Sequence, residues 1–297
     1  MSTREPTSER ARRAVPSGAR RALRRAAKAV GDITADQRVL PDFLVIGAQR
    51  AGTTTLYHYL VQHPQVLGAV ADKEVHHFDV HYTDGPRAYR GAFPRRATVE
   101  RAARRAGARI VVGEATPYYL FHPAVPARVQ AVLPEVRLVA VLRDPVARAW
   151  SHYGHEVDLG YEDLPFEEAL DREDERLAGQ EERLASDPSA LSFAHQHFSY
   201  AARGRYVEQL ERWWQAFPRE RLLLLRSEDL HGAPEAALRA IEDHLGIAAW
   251  SPAVWRTLNA SSGGRSMAPD TRERLRAMFA PWNERLQAAT GVDWQWS

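Results

Sequence analysis

A chain of 297 residues is long enough for one large α/β domain, or two small ones, with an ample core. A hydrophobic share of 44% and a charged share of 26% are those of a soluble globular protein, and the absence of cysteine excludes disulfides and thiolate metal sites and fits a reducing cytoplasm. The net charge of +2 hides an asymmetry: residues 1–30 carry nine Arg or Lys against two Glu, which leaves the remainder at about −5 and argues against a folded nucleic-acid reader.

Residues 1–38 read as a basic tail. The run TSERARRAVPSGARRALRRAAKAV is rich in Arg, Ala and Ser and nearly free of large apolar residues. Disorder, a transit-like peptide and an amphipathic segment resting on anionic lipid all fit it, disorder best on composition. Leu23 and Val30 offer little apolar surface, so only weak membrane-surface contact is expected. No apolar run approaches the ~18–20 residues of a membrane span.

Beyond the tail, strand and helix patterns alternate. Strands are predicted at Asp42–Gly47, Arg109–Gly113, Arg137–Leu142 and Arg221–Leu225, each short and rich in Val, Ile or Leu. Helices are predicted at Thr53–His63, Thr98–Ala106, Pro123–Leu133, Val146–Asp158, Tyr206–Phe217 and Pro234–Leu245. Strands without polar alternation, separated by helices, indicate a single α/β domain (39–297) around a central parallel sheet, with ligands bound beyond the carboxyl ends of the strands.

The first predicted strand runs into a loop with the spacing G-x-x-x-x-G, Gly47 to Gly52, and then a helix. Backbone N–H groups from Ala51 through Gly52, Thr53, Thr54 and Thr55 form an anion site at the helix start, with Arg50 as the cation of the loop. A nucleoside triphosphate loop would carry Lys and then Ser or Thr after Gly52, where this chain has two threonines. Next comes KEVHHFD, Lys73 to Asp79. His76, His77, Asp79 and His81 suggest a metal cluster, but their spacing fits no standard zinc pattern, and no metal is expected. The third predicted strand delivers Arg143 to its carboxyl end, and Ser151 follows two helical turns later, so the pair can converge on a second phosphate while Arg148 faces solvent. Residues 160–192 hold eleven Asp or Glu against three Arg, either a solvated helix face or an acidic wall beside an acceptor.

Two phosphate sites at two strand ends suggest a nucleotide with phosphates on both sides of its ribose. Here the sequence resembles the sulfotransferases that use 3′-phosphoadenosine 5′-phosphosulfate (PAPS), most nearly the heparan sulfate branch and its bacterial relatives. PDFLVIGAQRAGTTTLYHYLVQHPQV resembles their 5′-phosphosulfate loop and VLRDPVARAWSHY their 3′-phosphate motif. ADKEVHHFD, GEATPYYL, GRYVEQLERWWQAFPRERLLLLRSEDL and SSGGRSMAP extend the likeness from about residue 40 toward the end.

The resemblance implies a P-loop-like fold and transfer of a sulfuryl group to a hydroxyl, with no metal. It implies Glu74 as base, its pKa raised by burial, with His76 supporting it. Arg50 stands where the family usually has Lys, and Lys73 shares the cationic role. Arg143, Ser151, Tyr206 and the loop Gly263, Gly264, Arg265 would join Arg50–Thr55 in holding the nucleotide. Ala115 stands where the glycan enzymes place Lys, and the insert that carries a disulfide in animal relatives is missing. Ala115 and the acidic segment at 160–192 both point away from a heparan-like acceptor and toward a small-molecule, glycolipid or small glycan one. The Arg- and Ala-heavy composition suggests a bacterial source. Two rivals stay open: a P-loop kinase or NTPase, for which Asp144 is the nearest Mg²⁺ ligand, and a non-catalytic nucleotide-binding scaffold.

Overall fold

The computed structural model describes residues 26–70, 72–255 and 266–296. Five strands form one sheet: β1 (Phe43–Gly47), β2 (Val66–Gly68), β3 (Val111–Ala115), β4 (Arg137–Leu142) and β5 (Leu222–Arg226). Their spatial order is β2–β3–β1–β4–β5, and every neighbouring pair is parallel. β1 and β3 are buried at every position and β4 at all but its first, which is why their sequences show no polar alternation. β2 escapes a periodicity reading because Val-Leu-Gly is too short to display one.

Helices flank the sheet. In chain order they are α1 (Thr53–Leu60), α2 (Gly85–Gly91), α3 (Arg96–Ala106), α4 (Val125–Val132) and α5 (Pro145–Leu159). Four short helices follow, α6 (Phe166–Asp171), α7 (Glu173–Leu177), α8 (Gln180–Ser186) and α9 (Phe193–His197). The chain then forms α10 (Tyr206–Ala216), β5, α11 (Ser227–Gly232), α12 (Pro234–Leu245) and α13 (Pro269–Thr290). α5 shows how sequence fixes an element. Pro145 occupies its first turn, the Asp144 carboxylate accepts from the Val146 N–H at 2.9 Å, and Gly160 at φ 75° ends it. A satellite core of Val146, Tyr153, Phe166, Tyr200, Leu275 and Phe279 ties α5 to α6 and α13.

The acidic segment is neither a plain solvated face nor a free wall. Glu173 is buried and accepts from the Ala201 and Ala202 N–H groups at 2.7 Å each. Glu162 is buried too and takes hydrogen bonds from Arg176 at 2.6 Å and the Tyr200 hydroxyl at 2.9 Å. Glu167 accepts from Thr271, Asp171 pairs with Arg274, and Glu181 pairs with Arg212. Much of the charge therefore binds α6–α8 to the body.

The packed body begins upstream of residue 39. Residues 26–33 are helical, Ala35 is fully buried, and Arg38 donates to Thr34 Oγ1 and to the Phe93 carbonyl, so the stretch 26–38 departs from the tail reading. Ala35 supplies the reason: it is a core residue just beyond the Arg-rich run, and a single Ala carries no sequence signal of burial.

Candidate active site

The loops after β1, β3 and β4 gather at the carboxyl edge of the sheet, where the central strand's neighbours lead off to opposite sides. They enclose a cavity of about 770 Å³. Gln49, Arg50, Gly52, Thr53 and Thr54 line it from the first loop. Gly47 must be glycine, since a Cβ there would lie 2.5 Å from the Leu120 Cβ. Gly52, at φ 99°, turns the chain into α1, whose first backbone bond runs from Leu56 N–H to the Gly52 carbonyl. The amides just before Leu56 thus lie outside the helix ladder and at the positive end of its dipole, the setting for an anion. Two expected members stand back: Ala51 and Thr55 are buried behind the cavity wall, and the Ala51 N–H goes to the Ala48 carbonyl at 3.2 Å.

Arg50 and His76 are, with Gln295, the non-glycine residues at positive φ among the described residues, at 68° and 52°. Backbone held in that region costs about 1–3 kcal/mol and persists where surrounding structure demands it. Around Arg50 the demand is visible: its carbonyl accepts from Arg143 Nη1 at 3.0 Å and its Nε donates to Ser151 Oγ at 3.1 Å. Burial and the neighbouring Arg143 lower the Arg50 pKa from its ordinary value. Arg143 and Ser151 both line the cavity, and Arg50 is joined to each of them.

Along α5, Asp144, Ala147, Ser151 and His155 line the cavity at helical spacing. Arg148 lies on the next stripe and is fully buried, not at solvent as expected; it donates to the Tyr200 carbonyl. Tyr206 also sits deeper than expected for a nucleotide contact. Its ring is buried and its hydroxyl donates to the Arg143 carbonyl at 2.8 Å, so it supports Arg143 from behind. Gly263, Gly264 and Arg265 lie outside the described residues.

The segment after β2 carries Lys73, Glu74 and His76 to the same cavity. Lys73 Nζ lies 3.1 Å from both Thr54 Oγ1 and Glu74 Oε1. Glu74 Oε2 lies 3.1 Å from His76 Nε2, and His76 Nδ1 lies 2.8 Å from the buried Asp79 carboxylate. A ring with a carboxylate on each nitrogen donates from both and is the imidazolium. Burial opposes that charge, but the hydrogen bonds and charges of Asp79 and Glu74 outweigh it and raise the pKa to about 10. Burial alone would raise the Glu74 pKa, as expected from sequence; His76 and Lys73 reverse this and hold it below its ordinary value. His77, by contrast, is stacked on Tyr89 with ring centroids 4.7 Å apart, and burial lowers its pKa to about 4.

Beneath this segment lies a residue that sequence reasoning missed. Glu114, on β3, is fully buried, and burial raises its pKa to about 7. One oxygen accepts from the hydroxyls of Tyr89 (3.0 Å) and Tyr119 (3.2 Å), the other from Thr116 Oγ1 (2.6 Å) and the Val75 N–H (3.2 Å). Thr116 Oγ1 itself accepts from the Val75 and His76 N–H groups at 3.1 and 3.4 Å. The motif GEATPYYL thus fixes the backbone that carries Glu74 and His76. Pro117, Tyr118, Gln196, His197 and Arg203, from three separate short elements, line the cavity too, as do Ser227, Glu228 and His231 of α11, and all were unanticipated.

The Sulfotransferase domain family model matches residues 40–262. Among curated relatives, the chain is 25% identical to the membrane-associated sulfotransferase kil1 of Dictyostelium discoideum, over 86% of this chain and 66% of that protein. It is 28% identical to the heparan sulfate glucosamine 3-O-sulfotransferase 3B1 of Mus musculus, over 88% of this chain and 66% of that one. It therefore spans just under two thirds of the length of both. A crystal structure of a sulfotransferase from Alicyclobacillus acidocaldarius superposes with a TM-score of 0.63 at 30% identity, covering 86% of this chain and 97% of that one.

Proposed function

The chain belongs to the sulfotransferase family, and on that premise we propose that it moves a sulfuryl group from PAPS to a hydroxyl of a small-molecule, glycolipid or glycan acceptor. One observation carries the reading. Lys73 Nζ touches Thr54 of the phosphate loop and Glu74 at equal distances of 3.1 Å, so the anion site and the base share one cation.

The acceptor oxygen attacks sulfur in line. A new O–S bond forms while the bond from sulfur to the oxygen of the nucleotide 5′-phosphate breaks, and the hydroxyl proton passes to Glu74. Arg50, Lys73 and the helix-start amides stabilise the charge that builds on the departing phosphate oxygen. Arg143 and Ser151 hold the 3′-phosphate, and His76 with Asp79 behind it aims the Glu74 carboxylate. Adenosine 3′,5′-bisphosphate leaves. No step calls for a metal. A cysteine-free, Arg- and Ala-rich composition supports a bacterial, cytoplasmic setting.

The test is transfer of ³⁵S from labelled PAPS to a panel of hydroxy acceptors in the presence of EDTA. Label in the acceptor is expected. Transfer of the γ-phosphate from ATP with Mg²⁺ instead, with PAPS inert, would restore the kinase reading.

A further inference from the structure

The charge inventory of the cavity and the surface at its mouth narrow the acceptor, provided the sulfotransferase reading holds. Four Lys or Arg side chains line the cavity among the described residues: Arg50, Lys73, Arg143 and Arg203. The first three belong to the nucleotide, which brings two phosphate sites and the sulfuryl group. Arg203 is buried, and four of its five N–H donors are already committed. Nε donates to Ser199 Oγ at 2.7 Å, Nη1 to Gln49, and Nη2 to the His195 and Gln196 carbonyls at 3.0 and 2.7 Å. Its flat face also rests against the rings of Tyr118 and Phe121, 4.9 and 5.0 Å from their centroids. It is a strut of the wall, and no described Lys or Arg of the cavity remains for an anionic acceptor.

The mouth offers a different chemistry. His197 lines the cavity, and its ring is fixed by a hydrogen bond between Nδ1 and Glu156 Oε2 at 2.9 Å. Against it pack Phe193, at 4.3 Å between centroids, and Tyr161, at 4.8 Å; Phe193 and Tyr161 are 5.2 Å apart. All three pairs touch, so the rings form one built shelf. Its outer members stay open to solvent, Tyr161 at 46% and Phe193 at 52% exposure. Leu159 and Leu191, each two residues from a shelf ring, are exposed as well. A soluble domain that leaves adjoining aromatic rings uncovered beside a polar cavity presents a binding surface. Aromatic shelves take flat, apolar faces of ligands. Phe193 packs on His197, which lines the same cavity as Glu74, so the shelf adjoins that cavity.

We propose that the acceptor is an uncharged hydroxy compound with a flat apolar face, which lies on Tyr161, Phe193 and His197 while its hydroxyl reaches Glu74. A polyanionic glycan of the kind named for the mouse relatives does not fit this inventory. Both an aryl ring and the C–H face of a neutral sugar supply the required chemistry.

The test compares 4-methylumbelliferone, methyl β-lactoside and heparan sulfate as acceptors with the full-length wild-type protein and the double variant Tyr161→Ala/Phe193→Ala. Binding of each acceptor to protein loaded with adenosine 3′,5′-bisphosphate is measured beside turnover. The expected result is binding and transfer with the umbelliferone or the lactoside, the better of the two identifying the source of the flat face. The double variant should raise KM and the acceptor Kd about tenfold, with kcat little changed and bisphosphate affinity unaltered. Preference for heparan sulfate, or an unchanged acceptor Kd in the variant, overturns the proposal. So does a change of oligomeric state in the variant without a change in acceptor binding, because the shelf would then be a protein contact. Loss of the parent reading looks different: the wild type would bind no adenosine 3′,5′-bisphosphate.

Discussion

The two halves of the cavity are built on different principles. The half proposed for the nucleotide uses backbone: a glycine turn, the start of α1 and a strand end, with Arg50 joined to Arg143 at 3.0 Å and to Ser151 at 3.1 Å. The half proposed for the acceptor uses side chains from scattered short elements, the Pro117–Tyr118 turn, α9 and Arg203, held together by hydrogen bonds and stacked rings. Backbone anion sites need a fixed local spacing, so they leave a mark in sequence. A wall assembled from three separate short elements leaves none, and it meets the other half through the hydrogen bond from Arg203 to Gln49. Glu74 and Lys73 sit on the seam.

Substitutions should separate the halves by what they change. The largest effect belongs to Glu74→Gln, which keeps the side chain's size and removes its basicity. Turnover should fall by about 10²–10⁴-fold, the usual worth of general base catalysis, while bisphosphate affinity stays as in wild type. His76→Ala is the control. Near-normal turnover in Glu74→Gln with a dead His76→Ala would make His76 the base. The pH profile sharpens this point. Because His76 and Lys73 hold the Glu74 pKa down, the carboxylate is already ionised at neutral pH, and turnover should be flat from about pH 6 to 8. It should decline as pH rises toward the His76 value of about 10, where the imidazolium that aims Glu74 is lost, and His76→Ala should lack that limb.

Next in size is Lys73→Met, at the seam. Loss of one cation from the departing oxygen should lower kcat by about 10²-fold. Bisphosphate affinity should change far less, since the sulfuryl group and its leaving oxygen are where Lys73 acts. A pure loss of nucleotide affinity would move Lys73 wholly into the nucleotide half. Arg143→Ala should do the reverse. A charge-assisted contact to phosphate is worth about 1.5–3 kcal/mol, so bisphosphate affinity should drop about ten- to a hundredfold, whereas adenosine 5′-phosphosulfate, without a 3′-phosphate, should be affected much less. Equal losses for both ligands would place Arg143 elsewhere.

The same contrast explains what sequence could reveal. Four strands, the phosphate loop, Arg143, Ser151 and the Lys73–Asp79 segment were legible because each is a local pattern with a local cause. Arg148 was misread because facing is decided by which stripe of α5 meets the satellite core, a tertiary fact. The acidic segment was legible only in part: nine of its eleven carboxylates are exposed, as a solvated face requires, but Glu162 and Glu173 are buried, and the partners of Glu162, Glu167, Glu173 and Glu181 lie from 14 to 104 residues away. The Glu74 pKa was given the wrong direction because burial was weighed without the imidazolium that packing brings beside it.

Glu114 gives the smallest and most delicate effect. Its carboxyl is fully buried among four donors, and burial raises its pKa from the usual 4.5 to about 7. The folded state therefore holds this proton more tightly than the unfolded chain does. The stability contributed by the protonated form is fully present below about pH 4.5 and is lost as pH rises through about 7. Glu173, also raised to about 7 by burial, adds a slope of the same sign. Glu114→Gln cannot ionise and resembles the protonated carboxyl in shape, so it should remove its share of the slope and leave that of Glu173. Calorimetry from pH 5 to 8 should show the wild-type Tm falling by a few degrees more than that of the variant, with bisphosphate affinity equal in both. The network from Glu114 through Thr116 to the Val75 and His76 amides ties this buried proton to the catalytic segment. Parallel Tm slopes for the two proteins would mean that Glu114 is ionised throughout, held so by its four donors despite its burial.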